Sequence, residues 1–324
     1  MPNFSNLSLQ PHLVSYLTLA GVLLGVLMLM CAAVVVLLAR ALVRPPRMTD
    51  GKAAWVLKRL SPGDLGLPFE EVAFDVRDAK TGQPLRIAGW WIPHGSADGR
   101  TVVFLHGYAD AKVGAIAWAP AWHKLGWNIL AIDLRAHGES GGEYCTGGFY
   151  EREDVSQVID QLRACRPAET RRLSIFGVSF GAAVAVATAA TRDDIDALVL
   201  DSPATDFSVA GARTMQGLGA PLDILETVAV RLAQNMTGAR YDDVRLIDLL
   251  PTLKCPVLVI APELDPLLDD GVRDKLSAAL PPNGEHWQLA DTGHLMAVVA
   301  DPDEYVTRLD RFLNGTVANA CAAR

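Results

Sequence analysis

The stretch Leu173–Ala190, LSIFGVSFGAAVAVATAA, decides how the rest of the chain is read. A short apolar run, Leu173 to Phe176, leads into Gly177-Val178-Ser179-Phe180-Gly181 and then into an alanine-rich segment from Ala182. The apolar run fits a strand buried on both faces, and the alanines favour a helix. A serine between the two needs a turn so tight that the residues two before and two after it must be small. The helix start also offers N–H groups and a positive dipole end to charge developing nearby. Ser179 is therefore the predicted nucleophile. A second G-x-S-x-G, Gly138-Glu139-Ser140-Gly141-Gly142, also follows a strand-like run. It leads only into the glycine-rich loop 142–148, so Ser140 lacks the helix that the chemistry requires.

Working outward, Glu71 to Arg77 and Leu85 to Ile92 alternate apolar and polar residues around a Thr81-Gly82 turn, which predicts an antiparallel edge hairpin. Nearly continuous apolar runs follow at Thr101–Leu105, Asn128–Ile132, Ala197–Leu200 and Pro256–Ile260, with a last strand at Glu285–Leu289. Helical periodicity fills the gaps at Val113–Leu125, Tyr150–Ala164, Ala182–Ala190, Gly271–Leu280 and Asp303–Leu313. Strands alternating with helices predict a doubly wound, mostly parallel α/β sheet of eight strands. The connection after Leu200 is too long for a simple crossover, so residues 204–254 are expected to form a small helical cap over the carboxyl ends of the strands.

A serine hydroxyl needs a base. Of seven histidines, His106 and His137 follow strands, while His294 lies in Asp291-Thr292-Gly293-His294 after the last strand. In a doubly wound sheet only the carboxyl ends of strands meet at a site, and the fold's chain order places the base after the acid, which selects His294. The acid is expected after Pro256–Ile260, where Glu263, Asp265, Asp269 and Asp270 compete. Asp269 and Asp270 suit a helix cap, Glu263 lies close to the strand end, and Asp265 is chosen; Asp201 is the outside candidate. Two backbone donors complete the expectation. These are Phe180 N–H beside the nucleophile and Tyr108 N–H in His106-Gly107-Tyr108, where Gly107 lets the backbone turn close to a substrate.

The first 39 residues contain no Lys, Arg, Asp or Glu. Leu13 to Ala39 is long enough to cross a bilayer as a helix and too long for the apolar core of a signal peptide, whose basic n-region is also missing. The predicted layout is a tail at 1–12, a single transmembrane helix at 13–39, a basic linker at 40–68 and one domain over 69–324. Six basic residues and one acidic lie between Arg40 and Leu60, which by the positive-inside rule puts the domain in the cytoplasm. The segment Ala53–Leu60 suits either an anionic leaflet or packing on the domain. From Ser61 on there remain 23 basic and 36 acidic residues, a net of −13, which disfavours nucleic acid as a partner. Five scattered cysteines, without a CxxC, predict no disulfide framework and no metal site.

Phe104-Leu105-His106-Gly107, Asp133-Leu134-Arg135-Ala136-His137-Gly138-Glu139-Ser140, the turn at Ser179, Asp201-Ser202-Pro203, Asp265 and Gly293-His294 together resemble the α/β-hydrolase superfamily, from about Glu70 to Leu313. Within it the chain looks like the membrane-anchored α/β-hydrolase domain proteins related to lysophospholipases and acyl-protein thioesterases. The resemblance implies a cofactor-free serine hydrolase acting on an ester or acyl substrate. It also makes Ser140 part of a structural turn, with Ala136 standing where many relatives have glycine, and makes Glu151 and Asp154 structural. A peptidase of the same fold, or a non-catalytic membrane-tethered binding module, are the alternative readings.

Overall fold

A computed structural model describes residues 11–96, 98–207 and 223–322. Most of the expected tail, and the 208–222 part of the expected cap, lie outside the described residues.

The first helix, α1 (Pro11–Val43), is long and apolar enough to cross a membrane. It runs past Ala39 because Arg40 lies on its exposed side and does not interrupt it; Pro45-Pro46 follows its end. Its two parts differ. From Leu13 to Met30 nearly every side chain is exposed, whereas Val35, Ala39, Leu42 and Val43 are buried. Their three- and four-residue spacing marks one helix face. A short helix, α2 (Asp50–Leu57), starts at Thr49, whose hydroxyl accepts from Lys52 N–H at 3.4 Å, and it buries Ala53 against the domain.

Eight strands form one sheet: β1 (Glu70–Arg77), β2 (Pro84–Ile92), β3 (Arg100–Leu105), β4 (Asn128–Ile132), β5 (Arg172–Val178), β6 (Ala197–Asp201), β7 (Val257–Pro262) and β8 (Gly284–Leu289). Their order is β1-β2-β4-β3-β5-β6-β7-β8, with the β1–β2 and β2–β4 pairs at one edge antiparallel and the remaining pairs parallel. The apolar runs are continuous because successive residues serve opposite faces. Val103, Leu105, Ile175, Leu198 and Leu200 enter one core, and Val102, Phe104, Phe176, Val199 and Ile260 the other.

Helices cover both faces. The single helix expected over 113–125 is instead a 3-10 turn (Lys112–Ala117) followed by α3 (Ala119–Lys124). Pro120 explains the break, since it fits only the first turn of a helix. The chain then forms α4 (Glu151–Cys165), α5 (Phe180–Ala189), α6 (Asp223–Thr237), α7 (Asp270–Ala279) and α8 (Pro302–Ala322). The first core joins α4 and α5 to the last turns of α1 and to α6, whose Ala229 and Ala233 are buried. The second joins α3 and α8 to Ala53 of α2. In the insertion between β6 and β7, α6 lies along α1, so the expected cap region and the N-terminal helix pack together.

Candidate active site

β5 ends where Ser179 adopts φ 51° and ψ −116°, and α5 begins at the next residue. Glycine is required on both sides of that turn. A Cβ at Gly177 would lie 2.4 Å from the Gly181 carbonyl oxygen, and one at Gly181 would lie 2.1 Å from that of Leu105. Ser179 is held by its own backbone: its N–H donates to Asp201 O at 2.9 Å, and its carbonyl accepts from Ala182 and Ala204 at 3.1 Å each. As the first residue of α5, Phe180 has an N–H with no carbonyl one turn back in the helix.

His294 and Ser179 line the same cavity, of about 680 Å³. His294 Nδ1 is 2.6 Å from Asp265 Oδ2. The Asp265 side chain is fully buried and its other oxygen accepts from Leu267 N–H at 2.8 Å, so both position and orientation are fixed. The competing acids are placed elsewhere. Asp269 caps α7 by accepting from Val272 N–H, Asp270 pairs with Arg273, and Glu263 is exposed. Asp201, fully buried, accepts from Trp118 Nε1 at 3.2 Å, Tyr305 OH at 2.9 Å and Ser202 Oγ at 3.0 Å. Burial raises its carboxyl to about 6. Ser202 Oγ in turn accepts from Leu295 N–H, so Asp201 steadies the His294 loop without touching the imidazole.

The loop after β3 lies against the serine: a Cβ at Gly107 would be 3.5 Å from Ser179 Cβ. Tyr108 and Phe180 line the cavity beside it. His106 is buried, with Nδ1 2.7 Å from Gly107 O and Nε2 accepting from Leu134 N–H at 2.9 Å. Burial lowers this imidazole to about 4, so it is a neutral strut between the loops after β3 and β4. His137 is likewise buried and lowered to about 3, with Nδ1 2.8 Å from Arg135 O.

Ser140 is spoken for. Its hydroxyl donates to Asp133 O at 2.6 Å and accepts from Ala88 N–H at 2.8 Å, extending the β2–β4 pairing past the end of β4. Asp133 accepts from the backbone N–H groups of Lys112 and Glu139 and pairs with Lys112 Nζ. Gly138 is obligatory there, because a Cβ would meet the Asp133 carboxyl at 2.3 Å. Asp154 takes a two-point grip from Arg135 at 2.6 and 2.7 Å, and Glu151 accepts from Thr146 and Gly148 N–H. Non-glycine residues with positive φ gather at this end of the sheet: Ala109, Ala136, Ser179, Ser202 and Leu295. Each belongs to a loop that forms the cavity or braces it, where backbone strain is commonly concentrated.

Several cavity residues were not legible in the sequence. Ala41, Leu42 and Pro46, from the end of α1 and the turn after it, line the cavity together with Phe207 from the insertion. Tyr108 OH donates to Ala41 O. Arg47 Nη1 donates to the carbonyls of Gly138 at 2.7 Å and Ser140 at 2.6 Å. No local pattern signals such long-range contacts; only the proximity of prolines to the end of an apolar helix hints that the chain turns there. Among the described residues, no three of His, Cys, Asp or Glu cluster as metal ligands.

A strained serine at a strand-to-helix turn, lining one cavity with a histidine after the last strand of an eight-stranded sheet, defines the α/β-hydrolase class. The chain belongs to the α/β-hydrolase superfamily. The family model described as "Serine aminopeptidase, S33" matches residues 97–241. A Mycobacterium tuberculosis protein described as uncharacterised is 29% identical over 238 residues, 73% of this chain and 78% of that one. An esterase of Pyrococcus furiosus superposes with a TM-score of 0.68 at 27% identity, covering 84% of this chain and 97% of its own. A membrane phospholipase A described as a bacterial virulence factor shares the fold at a TM-score of 0.56 and 19% identity, over 95% of this chain and 99% of that one.

Proposed function

We propose that the protein is a membrane-anchored serine hydrolase that cleaves carboxylic esters or thioesters through an acyl-enzyme. The observation that carries this reading is that Ser179 and the histidine of the Asp265–His294 pair line one apolar cavity. His294 Nε2 takes the proton as Ser179 Oγ adds to the acyl carbonyl, and Asp265 holds the imidazole in the tautomer that this transfer needs. The oxyanion is held by Phe180 N–H at the start of α5 and by Tyr108 N–H from the loop after β3. As the tetrahedral intermediate collapses, the leaving alkoxide or thiolate departs with the proton from His294. Water then attacks the acyl-Ser179 ester, giving one proton to His294, and the second collapse returns that proton to Ser179 as the carboxylic acid is released and ionises in water.

Esterase relatives favour ester over amide cleavage, and the mostly apolar lining suits an acyl chain. The exposed length of α1 supports a bilayer location, and the basic residues after it favour the cytoplasmic side for the domain. A retained anchor is favoured over a cleaved leader because the last turns of α1 are built into the core.

A fluorophosphonate probe tests the assignment. Wild type is labelled and Ser179→Ala is not, whereas equal labelling would remove Ser179 as nucleophile. The matched family description favours peptidase chemistry as the second reading. Faster turnover of leucine p-nitroanilide than of p-nitrophenyl butyrate would select it.

A further inference from the structure

The role of α1 is not exhausted by anchoring. Resting on the ester-hydrolase reading above, we propose that its last turn is one wall of the acyl-chain site, so that α1 itself sets which chains the enzyme accepts, and that the chain arrives from the bilayer.

The first support is composition of the cavity. Ala41, Leu42 and Pro46 face it from the α1 side, with Tyr108, Phe180 and Phe207 around them. The second is fixation. The last four carbonyls of a helix lack partners within it. Here the catalytic domain supplies two: Tyr108 OH donates to Ala41 O, and Cys145 N–H donates to Val43 O at 2.8 Å. Tyr108 belongs to the loop that lies against Ser179, so wall and reaction centre are joined by one residue. Arg44 adds a contact to Glu143 and Tyr144, and Arg47 its bonds to the loop after β4. A helix held this firmly is a fixed surface of the cavity.

The third support is a length. From Leu13 to Val34, before the buried face begins, α1 has 22 residues. At about 1.5 Å per residue these span about 33 Å, close to the thickness of a bilayer's hydrocarbon core. The turn bearing Ala41 and Leu42 then lies at the level of the headgroups, and the cavity opens where acyl chains meet water. Exposed apolar side chains in neighbouring segments fit the same boundary: Ile224 and Val228 on α6, and Leu264 and Met296 in the acid and histidine loops. The occupant that this geometry selects is a lipid ester whose chain slides along α1 into the cavity.

The test is the chain-length profile of the full-length protein in detergent micelles, read as the ratio of kcat/KM for p-nitrophenyl palmitate to that for p-nitrophenyl butyrate. Ala41→Trp fills the wall from an exposed backbone position and lowers this ratio at least about tenfold, as expected from displacing a pair of buried methylenes. Pro46→Trp does the same from outside the helix, which guards against misfolding of either variant. Leu29→Trp, on the free part of α1, leaves the ratio unchanged. If both wall variants cleave the two esters with the wild-type ratio, α1 is no part of the chain site. If wild type and Ser179→Ala are equally inert towards both esters, the hydrolase reading falls and takes this inference with it.

Discussion

Ala136 has a backbone conformation, φ 61°, that glycine adopts freely and other residues at a cost. Relief of that cost in Ala136→Gly, about 1–2 kcal/mol, is offset by loss of a buried methyl, about 0.8 kcal/mol, and by a freer unfolded chain, about 0.4–1 kcal/mol. The substitution is therefore near neutral. Ala136→Val has no such offset, because a β-branched side chain tolerates this region worst; it lowers stability by about 2 kcal/mol in denaturant titration. Asp265→Asn keeps the shape of the histidine contact but favours the wrong tautomer, and lowers kcat about ten-thousandfold while the circular dichroism spectrum is retained. Asp110, at the cavity edge, has its carboxyl raised by burial to about 6. A carboxyl raised in the fold costs stability as pH rises through that value, because the unfolded chain ionises more readily. Asp110→Asn escapes this penalty. Its stability relative to wild type climbs from near zero at about pH 4 to about 2 kcal/mol at about pH 8, and a constant difference across that range would refute the cause given. At this scale the sequence was most legible for Ser179, whose strand and helix are its immediate neighbours. Asp265 was harder, since four carboxyls share one loop and only the packing of α7 separates them.

Strands were legible because each is buried on both faces and reads as an unbroken apolar run. Their ends were less so: β5 continues through Gly177 and Val178, where chain pattern gives way to the needs of the turn. The helix expected over 113–125 broke at Pro120, a local rule outweighed in the reading by apolar periodicity. The elements also depend on charge hidden among them. Arg135 is buried between α4 and the β1–β2 turn, gripping Asp154 and lying 3.3 Å from Asp78. Its neighbours hold the guanidinium firmly protonated. Arg135→Met leaves Asp154 buried without a partner, and is expected to cost about 3–5 kcal/mol in thermal or urea unfolding. Arg135→Met with Asp154→Leu recovers much of that loss; failure to recover would mean that Arg135 acts by packing its stem instead.

For the whole molecule, the acidic body and the basic stretch before it differ in what they do. Two of the six basic residues, Arg44 and Arg47, spend their charge on the domain rather than on a lipid surface. The proposed anchoring by an apolar helix predicts attachment insensitive to ionic strength, because screening weakens only the charged part. Membranes washed in molar salt keep the protein in the pellet, and detergent releases it; loss on salt washing would point to a peripheral association. The packing of α1 against the insertion was the least legible feature of all. It joins segments almost two hundred positions apart, and neither carries a pattern that names the other as its partner.

That packing divides α1 at a definable joint. Before Val34 the helix touches little of its own protein, so a foreign membrane span of equal length could be grafted there and the graft would be silent. After Val35 the same helix is enzyme, and a graft would rebuild the cavity. On the proposed anchoring, the boundary between address label and working part runs through the last third of a continuous helix, five residues short of where the first arginine would have placed it.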